Sequence, residues 1–225
     1  MIMTEKLIVY FHILSSFLLN KGIKVNAHIR LTSVGFCFKM LIMKKIIYTH
    51  RELEKLFKSD YQIKKAILDK KIYKIEKGIY SNTQFVHPLE IIVKKYPKAV
   101  FTMDSAFYFL GLTEVIPNKM YLAVKRNSTK TSNLGIIQIF VSDKFHEIGK
   151  TQIEFDGISI NIYNMERMLI ELVRNKKKLA FDYYKEIISS YRRKSADLNV
   201  TNIENYAKQF DSENYILRTI QEEVF

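Results

Sequence analysis

The sequence predicts an α+β protein, and three observations carry that reading. Two short capped helical patterns run into an alternating ribbon between Thr49 and Tyr80. Two strand-like runs and an Asp-Gly hairpin occupy the middle of the chain. Helical apolar spacing then returns after Asn164 and continues to the end.

With 225 residues, the chain can build one large domain or two small ones, each with a core. Only seven glycines and three prolines occur, which argues against long disordered linkers. The formal net charge of +13 favours polyanionic partners, nucleic acid or an anionic membrane. Abundant Ile, Lys, Asn and Tyr with no Trp suggest A+T-rich coding DNA, so a merely solvated lysine surface is the plain alternative. The single cysteine, Cys37, allows neither an internal disulfide nor a cysteine zinc site, and a reducing cytoplasm fits. The five histidines are scattered without His-x-x-x-His pairing, so each is expected on the surface or satisfied in a core. No metal site and no cofactor site is expected.

Residues 1–42 form an extension of doubtful status. "LIVYFHILSSFLL" (Leu7 to Leu19) is shorter than the roughly 20 apolar residues of a spanning helix. It could be a signal-peptide core after Lys6, but no small-x-small cleavage site follows closely. The favoured expectation is a true start at Met43, since "MKKIIYTHRELEKLF" reads as a basic lead into a capped helix. No membrane span is expected.

Residues 43–82 read as a compact basic module. Thr49 and Glu52 make a capping box for a helix running to about Phe57, with Leu53, Leu56 and Phe57 inward. Ser59 and Gln62 repeat the pattern for a second helix ending near Asp69 or Lys70. Ile63, Ala66 and Ile67 form its buried stripe, leaving Tyr61, Gln62, Lys64 and Lys65 outward. "KKIYKIEKGIYS" (Lys70 to Ser81) then alternates apolar and basic residues around Gly78 as a two-stranded ribbon.

Helix, turn, helix and ribbon outline a winged helix-turn-helix. Its second helix fits a DNA major groove and its ribbon lies over phosphates. Between Lys44 and Lys77 there are eleven basic residues against five acidic ones, and the surplus falls on the face left free by burial. The candidate DNA-binding residues are Tyr61, Gln62, Lys64, Lys65, Lys71, Lys74 and Lys77. A protein-docking role with solvated lysines is the alternative.

Residues 86–225 are expected to form a larger mixed α/β domain with a helical C-terminus. Two helices break near Pro97, and Ser105 to Leu110 should be buried. "KMYLAVK" (Lys119 to Lys125) and "IIQIFVS" (Ile136 to Ser142) read as strands, and Asp156-Gly157 closes a hairpin. Asn164 caps a helix with Met165, Met168, Leu169 and Leu172 as its apolar stripe. Two or three more helices are expected, around 181–193, 202–210 and 213–224.

No catalytic residue emerges: phosphate loop, nucleophile elbow and His-Glu-x-x-His are all missing. Glu154 and Asp156 would suit a metal nuclease, but Ile158 stands where its lysine is wanted. Glu166 complements a helix dipole, and Arg167 beside methionines is expected to form an internal ion pair. Basic clusters at Lys125-Arg126, Arg174 with Lys176 to Lys178, and Arg192 to Lys194 suit helix C-termini or a second anionic partner such as RNA.

The chain resembles the AbiEi-type antitoxins of bacterial abortive-infection toxin–antitoxin systems. "ILDKKIYKIEKGIY" (Ile67 to Tyr80) resembles their wing, with Lys70 where the family usually has glycine. "VFTMDSAFYFLGLTEVIPNKMYLAV" resembles the start of their second domain through Ser105, Ala106, Gly111, Leu112 and Pro117. "INIYNMERMLIELVR" resembles a later helix start through Glu166, Arg167 and Leu169. The last forty residues and the extension before Met43 have no counterpart.

The resemblance implies a cytoplasmic DNA-binding repressor, not an enzyme. It would bind inverted repeats in double-stranded DNA of its own promoter, with a possible dimer there. It would also neutralise a nucleotidyltransferase-like toxin encoded next door, without a stable complex. The alternatives are a winged-helix-targeted nuclease and a ligand-sensing regulator with no toxin.

Overall fold

In the computed structural model, which describes residues 46–225, the chain divides between Val86 and His87 into two units. The readings of the 1–42 extension lie outside the described residues. Among the described residues, no helix is long and apolar enough to cross a membrane. With helices and sheets in both units, the protein is α+β.

The first unit begins with β1 (Ile47–Thr49), followed by α1 (His50–Phe57) and α2 (Asp60–Leu68). β2 (Tyr73–Glu76) and β3 (Ile79–Ser81) complete an antiparallel sheet in the order β1-β3-β2. The capping box that starts α1 is present in full. Glu52 N–H donates to Thr49 Oγ1 at 3.3 Å, and Thr49 N–H donates to Glu52 Oε2 at 2.7 Å. Lys58 ends that helix at φ 58°, its N–H donating to Glu54 O.

The expected second capping box is not made. Ser59 is extended at the N-cap of α2, but its side chain accepts no capping hydrogen bond. β1 is a strand where the sequence pattern predicts only a basic lead; three residues are too short to show alternation. Its Tyr48 pairs with Tyr80 on β3, which places both beside Leu53, Phe57, Ile63, Ala66 and Ile72 in the core. Ile72 is fully buried and its N–H donates to Ala66 O, so the ribbon's first strand is anchored on α2.

The second unit holds a mixed sheet in the order β6-β5-β4-β8-β7. Its strands are β4 (Val100–Phe101), β5 (Met120–Lys125), β6 (Ile136–Val141), β7 (Lys150–Phe155) and β8 (Ile158–Tyr163). β4 has two residues, both buried, and lies at the sheet's centre between antiparallel β5 and parallel β8. β5 and β6 run parallel, joined by a loop without a helix. The β7–β8 hairpin turns at Asp156 and Gly157, with φ of 50° and 75°, the two positive values that the Asp-Gly pair favours.

Helices α3 (Pro88–Lys95), α4 (Met103–Phe109), α5 (Asp143–Glu147) and α6 (Met165–Arg174) are interleaved with these strands. α7 (Phe181–Arg193), α8 (Val200–Ala207) and α9 (Glu213–Glu223) close the chain. Asn164 caps α6, accepting from Arg167 N–H at 3.0 Å, and Met168, Leu169 and Leu172 are buried as the spacing requires. α8 starts earlier than the apolar pattern suggests because Asn199, accepting from Asn202 N–H, is its cap. Phe210 consequently falls in the linker after α8.

Candidate nucleic-acid interface

α2 is amphipathic in the simplest sense: Ile63 and Ala66 are buried, and Ile67 packs against the same core. The opposite face carries Tyr61, Lys64, Lys65 and Leu68, spaced three, four and seven residues from the first. Tyr61 and Leu68 are 73% and 81% exposed, so two large apolar side chains frame two cations on an unburied surface. Gln62 is also exposed, beside this row. Leu68 is not among the residues the sequence pattern assigns to either face, although its place in the spacing, one turn beyond Lys64 and Lys65, signals the outward row.

The remaining sequence-derived candidates lie on other elements. Lys71 follows α2 and lies 3.8 Å from the Asp69 carboxylate, a half-exposed pair that contributes little. Lys74 is exposed on β2, whose register slips between Lys74 and Glu76. Lys77 is exposed in the β2–β3 turn, next to Gly78 at φ 80°. Among the described residues, Lys64, Lys65, Lys74 and Lys77 make no ion pair, so their charge is unspent.

Two acidic groups of the same unit are engaged by one histidine. His50 approaches Glu54 and Asp60 at 3.4 Å each, linking α1 to the first residue of α2. These three side chains are cation-ligand types close enough to share an ion, but two of them are exposed. His50 N–H also donates to Gly78 O at 3.1 Å, and its ring lies 5.8 Å from that of Tyr80. The first turn of α1 is therefore fixed to the ribbon turn that presents Lys77.

Elsewhere, Glu154 lies exposed on β7 and Asp156 occupies the exposed hairpin turn. Arg167 forms the expected internal ion pair, its Nη2 donating to Glu171 at 2.6 Å. Glu166 does more than face a dipole: it is buried and accepts from Asn199 N–H at 3.0 Å, tying α6 to the start of α8. His146 is a correction. It is buried, with Nδ1 2.8 Å from Glu147, but its Nε2 has no hydrogen-bond partner.

No family model matches the chain, and no curated protein matches it.

Proposed function

We propose that the chain is a DNA-binding transcriptional repressor and antitoxin. On this reading the first unit is a winged helix-turn-helix, with α2 as the groove-reading helix and the β2–β3 ribbon as the wing. The single observation that supports it most is the unburied face of α2, where Tyr61 and Leu68 frame the unpaired Lys64 and Lys65. Cations give phosphate attraction, while exposed apolar side chains suit thymine methyls and base edges. Lys74 and Lys77 extend the same positive surface onto the wing, and Lys71 joins them once a phosphate displaces Asp69 from its ammonium.

The antitoxin half of the proposal rests on the resemblance carried by Ser105, Gly111, Pro117, Glu166 and Arg167. It places a nucleotidyltransferase-like toxin as the functional partner, neutralised without a stable complex, in the cytoplasm. Two copies would sit symmetrically on promoter inverted repeats. The protein needs no catalytic residue for this role.

A mobility-shift titration on the DNA upstream of its own reading frame tests the first half. Lys64→Ala with Lys65→Ala should weaken binding and lower the salt slope by roughly 1.8, about 0.9 for each lost phosphate contact. Unchanged affinity and slope at matched salt would remove α2 from the interface. Co-expression with the nucleotidyltransferase encoded beside it tests the second half; growth arrest that the chain does not relieve refutes it.

A further inference from the structure

Two of the basic clusters, Lys125-Arg126 and Arg174 with Lys176 to Lys178, are distant in sequence and meet in the second unit. They border a cleft of about 1240 Å³, ample for a small ligand. Arg126, Arg167, Arg174, Lys177 and Lys178 line it, and among the described residues Glu171 is the one carboxylate in its lining.

The fold spends some basic side chains on itself and leaves these. Lys125 lies within 4 Å of Asp143 and Glu147, and Lys176 pairs with Glu223. Lys194 caps α4 by donating to Leu110 O and Gly111 O, while Arg192 donates to Glu223 O and Arg193 to Ser189 and Ser190. By contrast, Arg126 and Lys177 have no partner among the described residues, and Lys178 reaches only the neutral Asn175 amide at 3.3 Å. Arg174 gives Nη1 alone to Glu171.

Arg167 supplies the second, independent observation. It is 1% exposed, and its Nε and Nη1 have no hydrogen-bond partner. Its guanidinium carbon lies 5.0 Å from the Tyr163 ring centre and 4.8 Å from that of Phe210, which offsets the charge but leaves both nitrogens without an acceptor. A buried donor without an acceptor is costly, and an anionic oxygen would remove that cost. Phe210 also stacks on Arg174 at 4.1 Å and sits in the linker between α8 and α9, so one ring bridges both guanidinium groups at the cleft. Large aromatic side chains, Phe140 and Tyr215, line the same cleft and are 43% and 50% exposed.

We propose that this cleft binds a phosphorylated small molecule of the nucleotide class. Its phosphates lie on Arg126, Arg174, Lys177 and Lys178, with Arg167 satisfied from the floor. Its planar ring packs on the aromatic wall to which Phe140 and Tyr215 contribute. This site is separate from the α2 face and does not depend on the repressor reading.

Calorimetric titration of the full chain at low salt, with pyrophosphate and each of ATP, GTP, CTP and UTP, tests the proposal. At least one nucleotide should bind more tightly than pyrophosphate. Arg126→Ala with Lys177→Ala and Lys178→Ala should weaken it by about tenfold or more. The three side chains are exposed, so the melting temperature without ligand should not move. Lys64→Ala with Lys65→Ala should leave nucleotide affinity unchanged, which keeps the result independent of the DNA-binding face. No binding of any probe at millimolar concentration, or binding indifferent to the triple variant, overturns the proposal. Pyrophosphate binding more tightly than every nucleotide overturns the ring contact. A single-stranded RNA oligonucleotide binding the cleft more tightly than every mononucleotide overturns the small-molecule reading.

Discussion

Gly149 lies at the start of β7 with φ 70°, and its carbonyl accepts from Asn164 N–H at 2.7 Å. A methyl group there would stand 2.8 Å from Asn164 Oδ1 and closer still to Arg167 Cβ. Neither neighbour can retreat easily. Asn164 Oδ1 holds the cap of α6, and Arg167 Cβ belongs to the first turn of that helix. Gly149→Ala therefore combines two terms. The left-handed backbone costs an L-residue about 1–2 kcal/mol, less roughly 0.5 kcal/mol regained from the stiffer unfolded chain. Forcing atoms into a packed site adds about 1–3 kcal/mol. A total of about 1.5–4.5 kcal/mol corresponds to a melting-temperature drop of roughly 5–15 °C for a unit of this size. Gly157→Ala is the control: φ is 75°, but nothing lies within 4 Å of the added atom, so only the backbone term applies. Thermal unfolding by calorimetry reads both. If the two variants fall by the same amount, the tight approach of β7 to α6 is wrong.

Three further outcomes are expected. Lys70 stands at φ 54° where the chain leaves α2, so Lys70→Gly should relieve left-handed strain and raise stability by up to about 1 kcal/mol in urea unfolding; a loss of that size contradicts the turn geometry. Glu171 accepts from Arg167 at 2.6 Å and from Arg174 at 3.0 Å, so Glu171→Gln strands a buried guanidinium. It should cost about 3 kcal/mol, measured by chemical denaturation, and a neutral result would refute the ion pair's place in the core. Burial raises the Glu223 carboxyl, but Lys176 and Tyr184 outweigh it and hold the group below its usual 4.5. Its contribution is therefore present above pH 4.5 and is lost as pH falls from there through the lower folded value. Glu223→Gln should flatten this part of the acid-stability profile, and an unchanged profile would refute the assignment.

Local chemistry was legible at three places where the signal and the structure it specifies lie within a few residues. Thr49 and Glu52, Asn164, and the Asp156-Gly157 turn each declare their geometry through a side chain or a backbone preference acting nearby. The stripe of α2 likewise follows from a 3.6-residue repeat that any solvent boundary enforces. The sequence alone thus determined which residues of the first unit turn outward as cations.

Only tertiary packing decided the rest. β1 and β4 are strands because β3, for the first, and β5 and β8 on either side of the second share their backbone hydrogen bonds, and two or three residues carry no periodicity of their own. Ser59 matches a capping pattern, but its side chain makes no capping bond. The cleft arises because a parallel β5–β6 pair and the α6–α9 helices bring Arg126, Arg167 and Lys177 to one place. Which lysines are engaged and which remain unpaired depends on carboxylates distant in the chain, such as Glu223 for Lys176. Charge composition fixes the number of cations, and the fold fixes where they remain unneutralised.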